Sequence, residues 1–225
     1  MALFLRHNLI RTIRKNQPIR GSKGSRGWDW YYNAKANAKI VEEAEPFPDN
    51  ESDRKRQKAY FDVGVDGESH GRIVFELVND LAPTGASNFL ALCSGVEIDN
   101  EKMGYKGTIF HTIRKDFMVQ GGDIDGDGGR CAPDLSDDIS GFFFKDECLN
   151  ISHSIPGILS MASPGVDGNG SQFFITTTPA KHLDAQHQII GRVVEGLDIV
   201  EKLSNVFSVG GKPVSDIVIT DCGEI

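Results

Sequence analysis

From Tyr60 onward the apolar residues come in short runs, each closed by glycine, proline or aspartate, and that punctuation limits the fold more than any other feature. Tyr60-Phe61-Asp62-Val63-Gly64-Val65 alternates by twos and ends at Asp66-Gly67, a strand entering a tight hairpin. Residues 71–77 read as the returning strand, and further short strands read at 108–113, 117–120, 157–161, 172–177 and 216–221. Two stretches carry helical spacing instead. Ala86, Phe89, Leu90 and Cys93 recur on one helical face, with Pro83 at the entry and Gly95 as a stop, and a second helix reads at about 196–203. Many short strands with two helices predict a mostly-β chain: a closed antiparallel barrel with helices over its open ends.

Charge divides the chain in two. Residues 1–60 hold 13 basic and 7 acidic side chains, whereas 61–225 hold 11 and 25, so the net charge of −8 describes neither part. This predicts a basic extension over 1–58 attached to an acidic domain over 59–225. The acidic domain would repel phosphate, leaving nucleic-acid contact to the tail alone. No apolar stretch approaches the ~20 residues of a membrane span. Cys93, Cys131, Cys148 and Cys222 show neither C-x-x-C spacing nor paired histidines, which fits reduced thiols and no metal site.

The extension has its own pattern. Arg6, Arg11, Arg14, Lys15, Arg20, Lys23 and Arg26 precede the first acid, Asp29, while Leu5, Leu9 and Ile13 form an apolar stripe. Such a start resembles a mitochondrial presequence, and a basic tail on a cytoplasmic or cytoskeletal protein is the alternative. A glycine-rich linker over 21–27 leads to Trp28, Trp30, Tyr31 and Tyr32. Rings this concentrated read as an anchor to a larger protein assembly, with folding back onto the chain's own domain as the other reading. Residues 33–45 favour helix until Pro46 and Pro48 end it.

Four blocks follow in order. They are Gly104-Tyr105-Lys106-Gly107-Thr108-Ile109-Phe110-His111, Phe117-Met118-Val119-Gln120-Gly121-Gly122-Asp123, Pro156-Gly157-Ile158-Leu159-Ser160-Met161-Ala162 and Asn169-Gly170-Ser171-Gln172-Phe173-Phe174-Ile175-Thr176. Together they resemble the cyclophilins, peptidyl-prolyl cis-trans isomerases, with a likeness running from about Tyr60 to the end of the chain. The resemblance implies an eight-stranded antiparallel barrel capped by two helices, proline-containing protein segments as substrates, and no cofactor.

Isomerising X-Pro means crossing a barrier of roughly 18–20 kcal/mol raised by amide resonance. The chemistry needs an apolar seat for the proline ring and a donor that competes for the nitrogen lone pair as the bond twists. By resemblance Phe117, Met118, Phe174 and Leu183 line that seat, Gln120 reaches the substrate backbone, Gln172 shapes the groove, and His111 and His187 stand beside it. Ala162 and Ser163 fall on the substrate-holding stretch, where the family's usual asparagine has become Ser163. His182 replaces a tryptophan used in cyclosporin recognition, which implies weak binding of that drug. Most consequentially, Thr112 stands where the family's catalytic arginine belongs. Losing a charge-assisted donor worth ~1.5–3 kcal/mol slows the step by roughly tenfold to a hundredfold. Arg114, two residues on, shares a strand face with Thr112 and is the candidate substitute.

The resulting expectation is a pseudoenzyme-like subunit of an assembly with weak or absent isomerase activity, the alternative being a slow isomerase assisting protein folding. One motif stays outside that reading. Asp123-Ile124-Asp125-Gly126-Asp127-Gly128, with Asp134 at position 12, matches the spacing of a calcium loop, but lacks flanking helices and the usual final glutamate. It reads as an acidic surface loop within a segment, 123–144, that is longer than the family's usual one.

Overall fold

The computed structural model describes residues 44–48, 56–98, 100–136 and 142–225; Trp28, Trp30, Tyr31, Tyr32 and the basic run lie outside them. Strand β1 (Lys58–Val65) turns into β2 (Glu68–Leu77) through Asp66 and Gly67, whose φ angles of 49° and 87° are both positive. A two-residue hairpin matching the right-handed strand twist demands that conformation, so Asp-Gly sits where the geometry needs it. Ala59, Phe61 and Val63 point into the core while Tyr60 and Asp62 point out, the alternation seen in the sequence.

Eight strands make one curled sheet. They are β1, β2, β5 (Thr112–Arg114), β6 (Met118–Gly121), β7 (Ile158–Met161), β8 (Phe173–Thr176), β9 (Ile189–Glu195) and β12 (Ile217–Glu224). Their spatial order is β12-β1-β2-β9-β7-β8-β6-β5, with every neighbouring pair antiparallel. The expected closed barrel is not drawn by the ladder, because β12 and β5 do not pair as strands. The expected strand over 108–113 changes partners instead. Gly107 N and Phe110 N donate to Ile219 O and Ile217 O at 2.8 and 2.9 Å, and only from Thr112 does the chain pair with β6. Backbone bonds therefore span the seam without a continuous ladder.

Two short hairpins escaped the sequence reading, β3–β4 (Val96–Ile98, Glu101–Met103) and β10–β11 (Ser208–Val209, Lys212–Pro213). So did β9, where Gly191 interrupts a brief apolar run. Helix α1 (Pro83–Ser94) starts without a local cap, and its first N–H groups go to a distant residue. The Glu147 carboxylate accepts from Thr84 N and Gly85 N at 2.9 Å each, an anion at a helix N-terminus. Phe89 of α1 enters a cluster with Phe61, Phe75, Tyr105 and Phe173, ring centroids 5.0–5.8 Å apart. Helix α2 (Leu197–Ser204) buries Ile199, Val200 and Leu203. No helix among the described residues is long and apolar enough to cross a membrane.

Part of the N-terminal extension packs onto this body. Glu45 N donates to Asn150 O at 2.8 Å and Ser152 N donates to Glu45 O at 2.7 Å. Phe47 is only 5% exposed, with the Arg56 and Arg192 guanidinium groups 5.7 and 5.1 Å from its ring. Arg56 in turn meets Glu76 at 3.1 Å and Asp80 at 3.3 Å. All four cysteines are free thiols, and burial pushes Cys148 up to about 11, too high for a thiolate at neutral pH.

Candidate peptide groove

Strand β6 builds one wall. Val119 and Gly121 face the core, so Met118 and Gln120 face the other way. Across the ladder Gln120 pairs with Phe174 of β8 on one side and with Thr112 of β5 on the other. The Gln120 amide Nε2 donates to Gln172 Oε1 at 2.8 Å, and Gln172 Nε2 donates to Gly128 O at 3.1 Å. This relay engages one N–H of the Gln120 amide and leaves its Oε1 to accept a backbone N–H.

The apolar end is held from behind. Leu183 closes a short 3-10 turn (Lys181–Leu183), and the next residue, Asp184, is 1% exposed. The Asp184 carboxylate accepts from Ser152 Oγ at 2.7 Å, from His153 N at 2.7 Å and from His153 Nδ1 at 2.8 Å. Burial alone would raise this carboxyl, but the bonds from His153 and Ser152 outweigh it and hold it below the usual carboxylate range. His153 Nε2 meets Ser160 Oγ at 2.8 Å, and the imidazole stacks on Phe174 with centroids 6.1 Å apart. A satisfied buried network thus fixes two of the four apolar walls. His187 meets Phe174 edge-on at 5.3 Å.

A cavity of about 830 Å³ opens over these residues. Nine side chains named from the sequence line it: Phe117, Met118 and Gln120; Ala162 and Ser163; Gln172 and Phe174; Leu183 and His187. Three do not. Thr112 Oγ1 lies 3.0 Å from His111 Nδ1, so these two occupy each other on the adjoining strand, and exposed His182 packs on Phe117 at 5.1 Å. Arg114 does not line the cavity either, since its Nη1 donates to Gly210 O at 3.2 Å. Among the described residues, His111 Nε2 and Ser163 Oγ are buried without a hydrogen-bond partner. Such orphans cost about 1–3 kcal/mol each, and at Ser163, which lines the cavity, a carbonyl or N–H of a bound peptide is the kind of partner that is lacking.

The far wall was missed from sequence. Asp125, Asp127, Gly128, Gly129, Arg130, Phe142 and Phe143 all reach the cavity from the long 123–144 segment. The acidic run from Asp123 to Asp127 reads in the sequence as a surface loop and gives no sign of a groove wall. Asp123 Oδ1 accepts from Gly126 N and Gly128 N, and Asp125 Oδ1 from Asp127 N and Gly129 N. Two of the aspartates of the calcium-like motif, Asp123 and Asp125, are thus bonded to the loop's own backbone. At Gly129, φ is +77° and a Cβ would lie 2.1 Å from Ser171 Oγ, so only glycine fits against the strand here.

An antiparallel β-body carrying an aromatic groove edged by two glutamines is a peptide-binding architecture. The chain matches the cyclophilin type peptidyl-prolyl cis-trans isomerase/CLD family over residues 60–224, and it belongs to that family. Cyclophilin domains bind proline-containing peptides, and the four apolar walls are where the proline ring is expected.

Burial pushes the His187 imidazole below its ordinary value, and charge on His153 acts in the same direction. As pH falls through about 6.5, the unfolded chain takes up a proton that folded His187 refuses, so stability declines until pH passes the folded value. The melting temperature is therefore expected to fall between pH 7.5 and 5, and to fall less in His187→Asn. Identical slopes in the two proteins would remove His187 as the cause.

Proposed function

We propose that this chain holds proline-containing segments in the groove and isomerises them weakly or not at all, as a subunit of a larger assembly gripped through residues 1–58. The observation that carries the reading is the donor supply at the proline end. Thr112 is neutral and already bonded to His111. Arg130 is the one cation lining the cavity among the described residues, and it belongs to the far wall, 3.1 Å from Asp125. Binding needs the apolar walls, which are retained; rapid turnover needs a charge-assisted donor at the twisting nitrogen. The retained walls also support the second reading, a slow isomerase assisting protein folding. The acid-free basic start supports delivery to mitochondria.

Full-length protein titrated with a labelled Ala-Pro peptide, beside an isomerisation assay, tests the central claim. Measurable binding with turnover at least about tenfold below an arginine-bearing cyclophilin is expected. Turnover near that reference would overturn it and leave the folding-catalyst reading. For the assembly role, Trp28→Ala with Trp30→Ala is expected to release the chain from a large complex in native extract while its melting temperature holds. Unchanged elution would remove the anchor.

A further inference from the structure

The three most exposed large apolar side chains among the described residues stand on one hairpin, outside the groove. Phe207 is 74% exposed, and Val209 and Val214 are 67% and 65% exposed. The β10–β11 pairing sets Ser208 against Pro213 and Val209 against Lys212. One step further out, Val214 N donates to Phe207 O at 2.9 Å. Opposed residues share a face and alternate residues return to it. Phe207, Val209, Lys212 and Val214 therefore stand together, while Ser208 and Pro213 turn, half-buried, the other way. Three such side chains present on the order of 300 Å² of apolar surface, the scale at which a monomer's largest patch is often functional.

The hairpin is braced from below and ringed by cations. Gly211 O accepts from Ile113 N at 2.7 Å, and Gly210 O accepts from Arg114 Nη1 at 3.2 Å. A Cβ at Gly211, where φ is +91°, would lie 2.5 Å from Arg114 Nη1, so the guanidinium rests against the bare turn. Exposed Lys115 follows Arg114, and exposed Lys212 stands within the apolar face itself. The neighbouring acids are Asp116, in the turn between β5 and β6, and Asp216, whose N–H donates to Asp66 at the β1–β2 turn. In a domain that holds 25 acidic and 11 basic side chains, three of the bases flank this one ridge.

We infer that this hairpin is an interfacial wedge that seats the protein on an anionic lipid surface. Phe207, Val209 and Val214 enter the headgroup layer, and Lys212, Lys115 and Arg114 meet the lipid phosphates. A ridge two strands wide, with side chains about two-thirds exposed, offers no slot for a rigid partner, whereas a fluid surface wraps it without shape complementarity. The acidic remainder of the domain does not forbid the approach, because charges beyond a screening length of about 8 Å are largely masked at physiological salt. Residues 6–26 carry the same chemistry, seven cations beside the Leu5, Leu9 and Ile13 stripe, and supply a second contact, which stable anchoring takes. The inference is independent of the groove, since none of the three apolar side chains lines the cavity.

The test floats the full-length chain with vesicles of phosphatidylcholine alone and of an equimolar phosphatidylcholine–phosphatidylserine mixture. The mixed vesicles are expected to bind at least about tenfold tighter, and added salt should erode the difference. Phe207→Ala should weaken the apparent Kd for mixed vesicles by about tenfold, and Lys212→Glu by about fivefold or more. Phe207→Leu should keep most of the affinity. All three side chains are exposed, so the melting temperature is expected to hold in each variant. Equal binding by the parent and by Phe207→Ala would overturn the assignment to the hairpin and leave the basic start as the contact. Equal affinity for the two vesicles would overturn the anionic surface. A parent that binds neither vesicle would end the inference. Self-association lost in Phe207→Ala would then give the face to a second copy, and release of Phe207→Ala from a large complex in native extract would give it to a protein partner.

Discussion

Thr112→Arg is expected to raise kcat/KM on a short Ala-Pro peptide by roughly tenfold to a hundredfold, the value of one charge-assisted donor at the twisting amide. Residue 112 pairs directly with Gln120 across the β5–β6 ladder, and directly opposed residues project to the same face. A guanidinium at 112 would therefore rise beside the acceptor Gln120 Oε1, above the apolar walls proposed to seat the proline. Among the described residues no other cation lines the cavity at that end, and Arg114 is turned onto the Gly210 carbonyl. Thr112→Lys should recover less, because an ammonium lacks the planar fork that holds a carbonyl while addressing the nitrogen. A peptide-cleavage-coupled isomerisation assay reads the result. No gain in Thr112→Arg, with the variant folded and binding peptide, would mean that the missing arginine is not what limits turnover.

Phe47→Ala is expected to cost about 3 kcal/mol and to lower the melting temperature by roughly 6 °C or more. The ring is 5% exposed beneath Arg56 and Arg192, and Arg56 is itself buried against Glu76 and Asp80. Removing the ring opens a cavity and admits water to an ion cluster arranged around it. A chain beginning at residue 59 loses Arg56 as well and should melt lower still, though the sheet and its aromatic core remain to fold. Calorimetry of the full chain, Phe47→Ala and the shortened chain would decide. A Phe47→Ala protein melting with the parent would show that residues 44–48 merely lie on the surface.

Much of the fold was legible because its signals are local. Asp66-Gly67 must turn, Phe61 and Val63 must share a face, and Pro83 with Gly95 brackets a helix, each for reasons contained within a few residues. The β10–β11 hairpin did carry a local signal, Gly210-Gly211 with both φ angles positive, whereas β9 has none. β9 carries Gly191, where a Cβ would lie 2.5 Å from Glu76 O, so its glycine answers to a neighbour 115 positions away. The seam at 107–110 likewise depends on where β12 arrives, and alternation within the run cannot say which strand it will pair with.

The site divides along the same line. By itself the sequence determined the family, and the resemblance named Phe117, Met118, Phe174 and Leu183 as the expected proline walls and Thr112 as the expected arginine position, because each is a matter of residue type within an ordered block. Tertiary structure alone decided that Arg114 turns away to Gly210, that Asp184 and His153 brace Phe174 and Leu183 from behind, and that Phe142 and Arg130 stand in the wall of the same cavity. Those facts are distances between parts of the chain brought together by packing. A side chain's type is written in the sequence; its partner is fixed only when the sheet curls and the long segment is laid against it.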